Sequence, residues 1–396
     1  MPAKPMFSIV IPTRERCETL EFSIKTVLSQ TFDDFELVIM DNFSQDRTKE
    51  VVQSYQDERI RYFRTSERLS MRDNWETALN HVNGRWMIFI GDDDGLIPDS
   101  LLLSSKILNH FSNIKALKWK SGFNYWWPNV LVEHNRNMIY IQYGNTFKTL
   151  NAHSVLQHYF QNVGNEHILP MVYHGVVKTD FINSIKYKHS PYFKAVGVDS
   201  YSGVINAYFL KEFLYSDLPL SISGVSGKSN GTATLFTGEK GRELRENQLK
   251  EYKVSRITEM FHPDLQHLEV HHPQLHAMDC LLQVKDECMP DDDRFIINKL
   301  SVLNSMTYTL RFDYENYENT IEVIKKLATE WEIPETELVI PEKITPQRPQ
   351  PGPAVDPNGR FLGTIAVDGD KAKIGNVYEA SCLIDSIVAK QISYVN

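Results

Sequence analysis

Residues 1–110 alternate between short apolar runs and amphipathic helical patterns. The apolar runs are rich in β-branched and aromatic residues and read FSIVIPT (7–13), FELVIMD (35–41), IRYFR (60–64) and WMIFIG (86–91). Short strands that alternate with helices indicate βαβ units, whose strands form a mostly parallel sheet covered on both faces. The sequence therefore predicts an α/β fold, Rossmann-like, in which helices joined by right-handed crossovers flank a central sheet.

Polar residues follow three of these strands at the point where each strand ends. They are Pro12, Thr13, Arg14 and Glu15 after the first strand, Asp41 after the second, and Asp92, Asp93 and Asp94 after the fourth. In open α/β sheets, ligands bind outside the carboxyl ends of the strands. We therefore expect these side chains to meet at one edge of the sheet and to form a site there.

Composition narrows the class of protein. At 396 residues, the chain exceeds what one hydrophobic core usually supports. Its net charge of −9 argues against a nucleic-acid partner, because phosphate contacts need a basic face. No apolar run approaches the roughly 18–20 residues that span a bilayer, and the N-terminus lacks the pattern of a secretory signal. The four cysteines are widely spaced, as in free thiols of a reducing compartment. We expect a cytoplasmic protein, and a peripheral position at the inner membrane face is compatible with this composition.

The rest of the chain divides into three stretches. Residues 111–235 complete a first domain, 1–235, whose first half is 1–110. Within it, DSYSGVINAYFLKEFL (199–214) predicts a helix opened by Asp199, and SISGVSGKSNGTATLFTG (221–238) predicts a mobile loop of a length often found in lids. Residues 236–330 have a mainly helical pattern, and 331–396 form a Pro-rich linker and a C-terminal tail.

Three adjacent aspartates at the end of a buried strand require an explanation, since like charges repel one another. One interpretation is a solvated polar turn. The other is a divalent cation, Mn²⁺ or Mg²⁺, held by Asp92, Asp93 and Asp94 together with substrate phosphates, because both ions prefer oxygen ligands. A second triplet, Asp291–Asp293, has no strand before it and predicts a capped helix start. Position therefore favours the cation for the first triplet only.

The N-terminal region resembles the family 2 glycosyltransferases with the GT-A fold. The resemblance rests on FSIVIPTRER, LSQTF, FELVIMDNFSQDRT, the N-x-x-x-A…G spacing, and WMIFIGDDDGLIPDSL, which corresponds to the D-x-D signature of the family. It implies that 1–110 is the nucleotide-sugar-binding half and that 111–235 is the acceptor half with a lid loop. Many members carry Asp where this chain has Gly91, so the metal ligand is either Asp93 or Asp94, with Asp92 nearer the ribose.

The resemblance also assigns roles to single residues of the donor site. Thr13, Glu15 and Asp41 would face the base and ribose, and Arg72 would face the diphosphate. The nucleotide-sugar-binding set that we expect is Pro12, Thr13, Arg14, Glu15, Asp41, Arg72, Asp92 and Asp93.

The catalytic base is less well defined by the sequence. An inverting transfer needs a carboxylate that takes the proton of the acceptor hydroxyl, and members of the family carry it near the start of a helix before the flexible loop. Asp199 fits this placement best, although simple N-capping of that helix explains it almost as well. Glu166 and Asp180 are the alternatives.

These features together predict an inverting, metal-dependent glycosyltransferase with a mainly helical C-terminal region. Its partners would be a nucleoside-diphosphate-sugar donor, with UDP-sugars as the first choice, and a glycan or lipid-linked acceptor; the oligomeric state is open, and a homo-oligomer is allowed. Two alternatives are another nucleotide-sugar enzyme, such as a nucleotidyltransferase, and a non-catalytic binding module. Trp126 and Trp127 belong either to a sugar-stacking surface or to the core. Ser226, Lys228, Ser229 and Asn230 belong to a lid or to a merely disordered loop.

Overall fold

The computed structural model describes residues 4–164, 166–231, 241–270, 272–311, 316–355 and 361–392. It confirms the α/β fold and all four predicted N-terminal strands. The strands are β1 (Phe7–Thr13), β2 (Phe35–Asp41), β3 (Ile60–Arg64), β4 (Trp86–Phe89), β5 (Gly95–Leu96), β6 (Ala116–Trp119), β7 (Phe123–Trp126), β8 (Met138–Ile141), β9 (Phe147–Asn151), β10 (Gly175–Lys178), β11 (Glu212–Ser216), β12 (Ser221–Val225), β13 (Gly352–Val355) and β14 (Phe361–Asp368).

The helices lie between the strands and dominate residues 242–330. They are α1 (Cys17–Leu28), α2 (Thr48–Ser54), α3 (Met71–Leu79), α4 (Ser100–His110), α5 (Ala152–Gln161), α6 (Thr179–Lys188), α7 (Val198–Phe209), α8 (Arg242–Tyr252), α9 (Pro273–Cys288), α10 (Lys299–Tyr308), α11 (Tyr317–Glu330), α12 (Gly369–Ala372) and α13 (Val377–Ile392).

The large sheet has eight strands in the order β3-β2-β1-β4-β10-β6-β11-β9. Its first four strands are parallel, β10 runs antiparallel to both of its neighbours, and β9 is antiparallel to β11. Thr13 pairs with Asp41 in the register of β1 and β2, so the two strands end side by side. This alignment brings the loops after β1, β2 and β4 to one edge, as the sequence predicts.

Alternate side chains of the sheet enter two different cores. Val10 packs into the core that contains α3, α5, α6, α7 and the helical region from α8 to α11, whereas Ile9 and Ile11 pack into the core under α1, α4 and α13. This two-sided burial explains why the parallel strands read as continuous apolar runs.

A second sheet of six strands, in the order β13-β14-β8-β7-β12-β5, includes the C-terminal segment. β14 pairs antiparallel with β8. At the turn before β8, Asn137 holds the segment in place: its Nδ2 donates to Asp370 Oδ1 at 2.8 Å and to the Ile374 carbonyl at 2.9 Å. α13 packs against α1 and the short β5. The C-terminal segment therefore packs against strands and helices of residues 1–141, and the domain boundaries stay a prediction.

Two sequence predictions in the second half of this domain are wrong in detail. The helix predicted for 199–214 ends at Phe209, because Leu210 turns to an extended conformation and the chain continues as β11, which pairs with β6 and β9. The predicted loop 221–238 begins with β12, which pairs with β5 and β7. The part of that loop from residue 232 onward lies outside the described residues.

Within the described ranges, we find no helix that is long and apolar enough to cross a membrane.

Candidate active site

The loop after β4 joins the two sheets and carries the first aspartate triplet. All three side chains are buried, with exposures of 2% for Asp92, 4% for Asp93 and 0% for Asp94. A solvated turn would leave the carboxylates in water, so the polar-turn interpretation fails. Burial of three like charges is costly unless each carboxylate has a partner.

Asp92 is bound by two residues of the loop after β1. Thr13 Oγ1 donates to Asp92 Oδ2 at 2.7 Å, and Arg16 Nη1 donates to Asp92 Oδ1 at 2.8 Å. Burial alone lowers the pKa of Arg16, but Asp92 and Asp93 outweigh burial and hold that pKa above its usual value. Arg16 is thus a permanent cation between two buried carboxylates.

Asp93 is bound mainly by the segment after β12. Ser226 Oγ donates to Asp93 Oδ2 at 2.6 Å, Ser229 Oγ donates to the same oxygen, and Trp127 Nε1 donates to the Asp93 carbonyl at 2.9 Å. Burial is the main reason that the pKa of Asp93 is raised to about 6. The charge of Arg16 lowers this pKa, and the charges of Asp94 and Asp92 raise it. Trp127 is buried at 5% exposure, so it belongs to the core beneath the site.

Asp94 has a different set of partners, which account for both of its carboxylate oxygens. Oδ2 accepts from the Gly91 N–H and the Tyr173 hydroxyl, both at 2.6 Å, and Oδ1 accepts from the Gly224 N–H at 2.7 Å. His174 Nε2 lies 3.2 Å from Oδ2. Burial alone raises the pKa of Asp94, but His174, Tyr173 and Gly224 outweigh burial and lower it. These contacts make Asp94 the residue that fixes the shape of the loop.

A second carboxylate subsite lies at the end of β2. The buried Asp41 accepts from the Ser44 N–H at 2.9 Å and from the Tyr62 hydroxyl at 2.5 Å. Glu15 adopts a left-handed conformation with φ of 55°, and its Oε1 accepts from the Gln45 N–H at 2.6 Å. A non-glycine residue held in this conformation is a recognised feature of ligand sites.

The two predicted arginines lie in different places. Arg14 follows Thr13 and forms an ion pair with Glu251 of α8. Arg72 donates to the Lys194 carbonyl at 3.1 Å, and its charge acts on Tyr252 and Asp279 of the helical region. No described contact joins Arg72 to Asp92 or Asp93, so its predicted role at the diphosphate stays a prediction. Pro12 lies within β1 opposite Met40.

Asp199 lies in the first turn of α7, whose N-cap residue is Gly197. N-capping therefore does not account for Asp199. Its Oδ1 accepts from the Ser200 N–H at 2.9 Å, and its charge acts on the Tyr173 hydroxyl that binds Asp94. Of the alternatives, Asp180 begins α6 beside Gly84 and Arg85, at the opposite end of β4 from the aspartates. The side chain of Glu166 lies outside the described residues.

The donor set at this edge fits a divalent cation through Asp92 and Asp93. Both are buried carboxylates, although a cation at Asp92 would have to compete with the Arg16 guanidinium that already binds it. Divalent ions are commonly held by one or two carboxylates together with substrate phosphates. Asp93 fits best, because the described residues donate only to its Oδ2, whereas protein donors occupy both carboxylate oxygens of Asp92 and of Asp94. Among the described residues, no group of three His, Cys, Asp or Glu side chains is arranged to hold a metal ion unaided.

The second triplet behaves differently from the first. Asp291 and Asp293 are exposed, and Asp292 forms an ion pair with Arg294 at 2.6 Å. The prediction of a capped helix start is wrong, because α10 begins at Lys299 with Asn298 as its N-cap. The second triplet is therefore a solvated turn. This supports the argument that only a triplet at the end of a buried strand forms a site.

Comparison with known proteins identifies the region that carries this site. The sequence profile described as "Glycosyl transferase family 2" matches residues 8–155. Residues 8–155 belong to glycosyl transferase family 2. The family assignment made from the sequence is thereby confirmed, and the α/β architecture agrees with the GT-A fold expected of it.

Two curated relatives match part of this chain. The GalNAc(5)-diNAcBac-PP-undecaprenol beta-1,3-glucosyltransferase of Campylobacter jejuni is 31% identical over 137 residues, 34% of this chain and 41% of that protein. The UDP-Glc:alpha-D-GlcNAc-diphosphoundecaprenol beta-1,3-glucosyltransferase WfgD of Escherichia coli is 31% identical over 96 residues, 24% of this chain and 38% of that protein. The chain thus spans about two fifths of the length of these curated relatives.

Among solved structures, S. aureus TarS 1–349 in complex with UDP-GlcNAc aligns with a TM-score of 0.43 at 11% identity, over 83% of this chain and 93% of that one.

Several residues of the family 2 site were not predicted from the sequence. Arg16, Tyr173 and His174 contact the aspartates directly, but the sequence analysis assigned no role to Arg16, and Tyr173 and His174 lie in a distant aromatic stretch. The one available signal was the run PMVYHGVV, a strand-like pattern interrupted by two polar aromatic residues.

Proposed function

We propose that this protein is an inverting, metal-dependent glycosyltransferase that moves a sugar from a nucleoside-diphosphate-sugar to an acceptor hydroxyl. The observation that carries the proposal is the pair of buried carboxylates, Asp92 and Asp93, at the carboxyl edge of the family 2 sheet with Arg16 beside them. Adjacent buried carboxylates at the carboxyl end of a strand suit a cationic group, and Asp93 Oδ1 accepts no hydrogen bond from the described residues.

Asp92 and Asp93 would hold Mn²⁺ or Mg²⁺, which supplies electrostatic stabilisation of the departing diphosphate when bound. Thr13 and Arg16 orient Asp92, and Ser226 and Ser229 orient Asp93. Glu15 follows β1 and the buried Asp41 ends the adjoining strand β2, where the base and ribose of the donor would bind.

Asp199 is the proposed base that takes the proton of the acceptor hydroxyl. Its Oδ1 accepts from the Ser200 N–H, and the described residues offer Oδ2 no hydrogen bond, so a lone pair is available. The Tyr173 hydroxyl binds Asp94 and is acted on by the charge of Asp199, and burial together with Asp94 and Asp93 raises the pKa of Tyr173 well above its usual value. Tyr173 therefore stays a hydrogen-bond donor to the acidic loop.

The donor and acceptor classes follow from the names of relatives. The E. coli relative is named for UDP-Glc and a diphosphoundecaprenol acceptor, and the C. jejuni relative for a PP-undecaprenol acceptor. We place a UDP-sugar in the donor half (1–110) and a lipid-linked glycan in the acceptor half (111–235). An acceptor of that class would bring the protein to the cytoplasmic face of a membrane.

The test measures hydrolysis of UDP-, GDP- and dTDP-sugars with Mn²⁺ or Mg²⁺, in the wild type and in D92N, D93N and D293N. We expect D92N and D93N to lose roughly 10²–10³-fold in rate, as when a group that stabilises developing charge is removed. D293N, in the exposed triplet, should keep the wild-type rate. Turnover that ignores both a chelator and the Asp92 and Asp93 changes contradicts the proposal.

A further inference from the structure

Glu251 of α8 reaches across to the donor half and binds two arginines with one carboxylate oxygen. Its Oε1 contacts Arg14 Nη1 and accepts from Arg68 Nη2 at 3.0 Å. Arg68 Nη2 also donates to the Asn247 carbonyl one turn earlier in α8, at 2.9 Å. Glu251 is only 9% exposed, whereas the side chains of Arg14 and Arg68 are 23% and 35% exposed, so a buried carboxylate meets two partly exposed guanidinium groups.

Two guanidinium groups share one carboxylate oxygen at this place, and the charge of Glu15 also acts on both of them. Burial lowers the pKa of Arg14 to about 10, and the neighbouring charges of Arg68 and Arg16 act in the same direction. Arg68 Nε is buried and has no hydrogen-bond partner among the described residues. The pair Arg14–Arg68 therefore has more hydrogen-bond donors than Glu251 satisfies.

This arginine pair adjoins the acidic loop. Arg14 follows Thr13, which binds Asp92, and the Asp92 charge acts on the Arg14 guanidinium. Arg16, two residues further on, binds Asp92 directly. A cationic subsite thus lies next to the anionic one, which is the charge pattern that a metal-bound diphosphate requires.

We propose that Arg14 and Arg68 bind a phosphate group of the donor diphosphate, and that Glu251 occupies this anion site until the ligand arrives. The inference rests on the proposed function for the identity of the donor. A phosphate has more acceptor oxygens and more charge than a carboxylate, and guanidinium groups bind it in bidentate fashion. Exchange of Glu251 for phosphate would satisfy Arg68 Nε and release α8 from the donor half.

The test is isothermal titration of the full chain with UDP and, separately, with inorganic pyrophosphate. The variants are E251Q, R68Q and E246Q, the last of which changes an exposed glutamate of the same helix. Removal of the competing anion should tighten both ligands about three- to tenfold in E251Q, whereas R68Q should weaken both to a similar extent. E246Q should match the wild type, and thermal unfolding of each variant confirms that it is folded.

The outcomes separate this inference from the proposed function. If E251Q leaves affinity unchanged or weakens it, Glu251 only holds the arginines in place and the inference is overturned. If E251Q tightens pyrophosphate but UDP does not compete with it, the anion site exists but takes a phosphate from another source, such as the acceptor. If UDP and pyrophosphate bind neither the wild type nor E251Q, there is no anion site. If E251Q and R68Q change the two affinities as expected but the wild type transfers no sugar, the result counts against the enzyme assignment and not against the anion site.

Discussion

Arg16 Nη1 lies 2.8 Å from Asp92 Oδ1, in a place where the side chain of Arg16 is only 15% exposed. The chain thus supplies its own cation to the carboxylate that we assign to a divalent ion. Arg16 Nη2 also donates to the Lys228 carbonyl, so the same guanidinium joins the acidic loop to the segment after β12. Entry of a metal ion at Asp92 therefore has to compete with Arg16.

Replacement of Arg16 tests that competition. R16Q leaves Asp92 without its charged partner, and we expect a loss of about 3 kcal/mol in the free energy of unfolding, as for a broken buried ion pair. Mn²⁺ should recover part of this loss, so thermal unfolding should show a larger Mn²⁺-induced rise in Tm for R16Q than for the wild type. R85Q, which changes an exposed arginine, is the control. Equal Mn²⁺ effects in R16Q and wild type contradict the prediction.

The hydrogen bond from Tyr173 to Asp94 should stabilise the fold measurably. Y173F removes a donor to a buried charged carboxylate and is expected to cost about 1.5–3 kcal/mol in urea unfolding. Tyr187 is 90% exposed, so Y187F serves as the matched control and should change stability little. Equal stability of the two variants would mean that Gly91, Gly224 and His174 hold Asp94 without help.

Gly224 should tolerate no side chain. A Cβ at this position would lie 1.7 Å from the Asp93 carbonyl oxygen, and the Gly224 N–H is bound to Asp94. We expect G224A to lose about 3 kcal/mol in stability, the upper end for overpacking. A Cβ added at Gly231 would meet none of the described atoms within 4 Å, so G231A should unfold like the wild type. Urea denaturation of both variants provides the measurement, and a G224A protein as stable as G231A sinks the prediction.

Asp279 should make stability depend on pH. Burial raises its pKa from 3.8 to about 6, although Gln283 and the His262 N–H donate to it. Because the folded state holds this proton more tightly, the contribution of Asp279 falls as pH rises from 3.8 to about 6 and is then fully lost. Relative to D279N, the wild type should therefore lose about 3 kcal/mol of unfolding free energy between about pH 4 and about pH 7. Denaturant unfolding of the wild type and D279N across this pH range measures the difference. D293N changes an exposed carboxylate, and its unfolding free energy should depend on pH as that of the wild type does. If D279N also shows the pH dependence of the wild type, the raised pKa of Asp279 is refuted.

Asp199 should affect the chemical step and leave donor binding unchanged. D199N is expected to lower kcat by about 10²–10⁴-fold, the contribution of a general base. The affinity for UDP, measured by titration, should stay at the wild-type value. D180N changes a carboxylate at the opposite end of β4 and should keep full activity. A D199N enzyme with normal kcat rejects the assignment.

The strands and the convergence of their loops could be predicted because their causes are local. A parallel strand buried on both faces needs a continuous apolar run, and β1, β2 and β3 match the predicted runs residue for residue. Thr13 then meets Asp92, since parallel strands end at the same edge. By contrast, the turn from Gly91 to Asp94 places Asp92, Asp93 and Asp94 in three different environments. Three identical residues in a row carry no sequence signal that would distinguish these environments.

The partners of the aspartates could not be predicted, because they come from far along the chain. Tyr173 and Ser226 lie 79 and 133 residues from the aspartates they bind. Both depend on β10 and β12, whose pairings with β4 and β5 are decided by tertiary packing. The same reason explains why the helix predicted to 214 instead gives way to β11.

The docking of α13 has a consequence for biosynthesis. Ser381 Oγ donates to the Leu96 carbonyl at 2.8 Å, and Val377 lies against Gly95, two residues beyond Asp93. A nascent polypeptide therefore emerges from the ribosome with the support of the aspartate loop unfinished, since Ser381 is translated 285 residues after Leu96. Until then, the exposed flank of β5 is a natural surface for a chaperone.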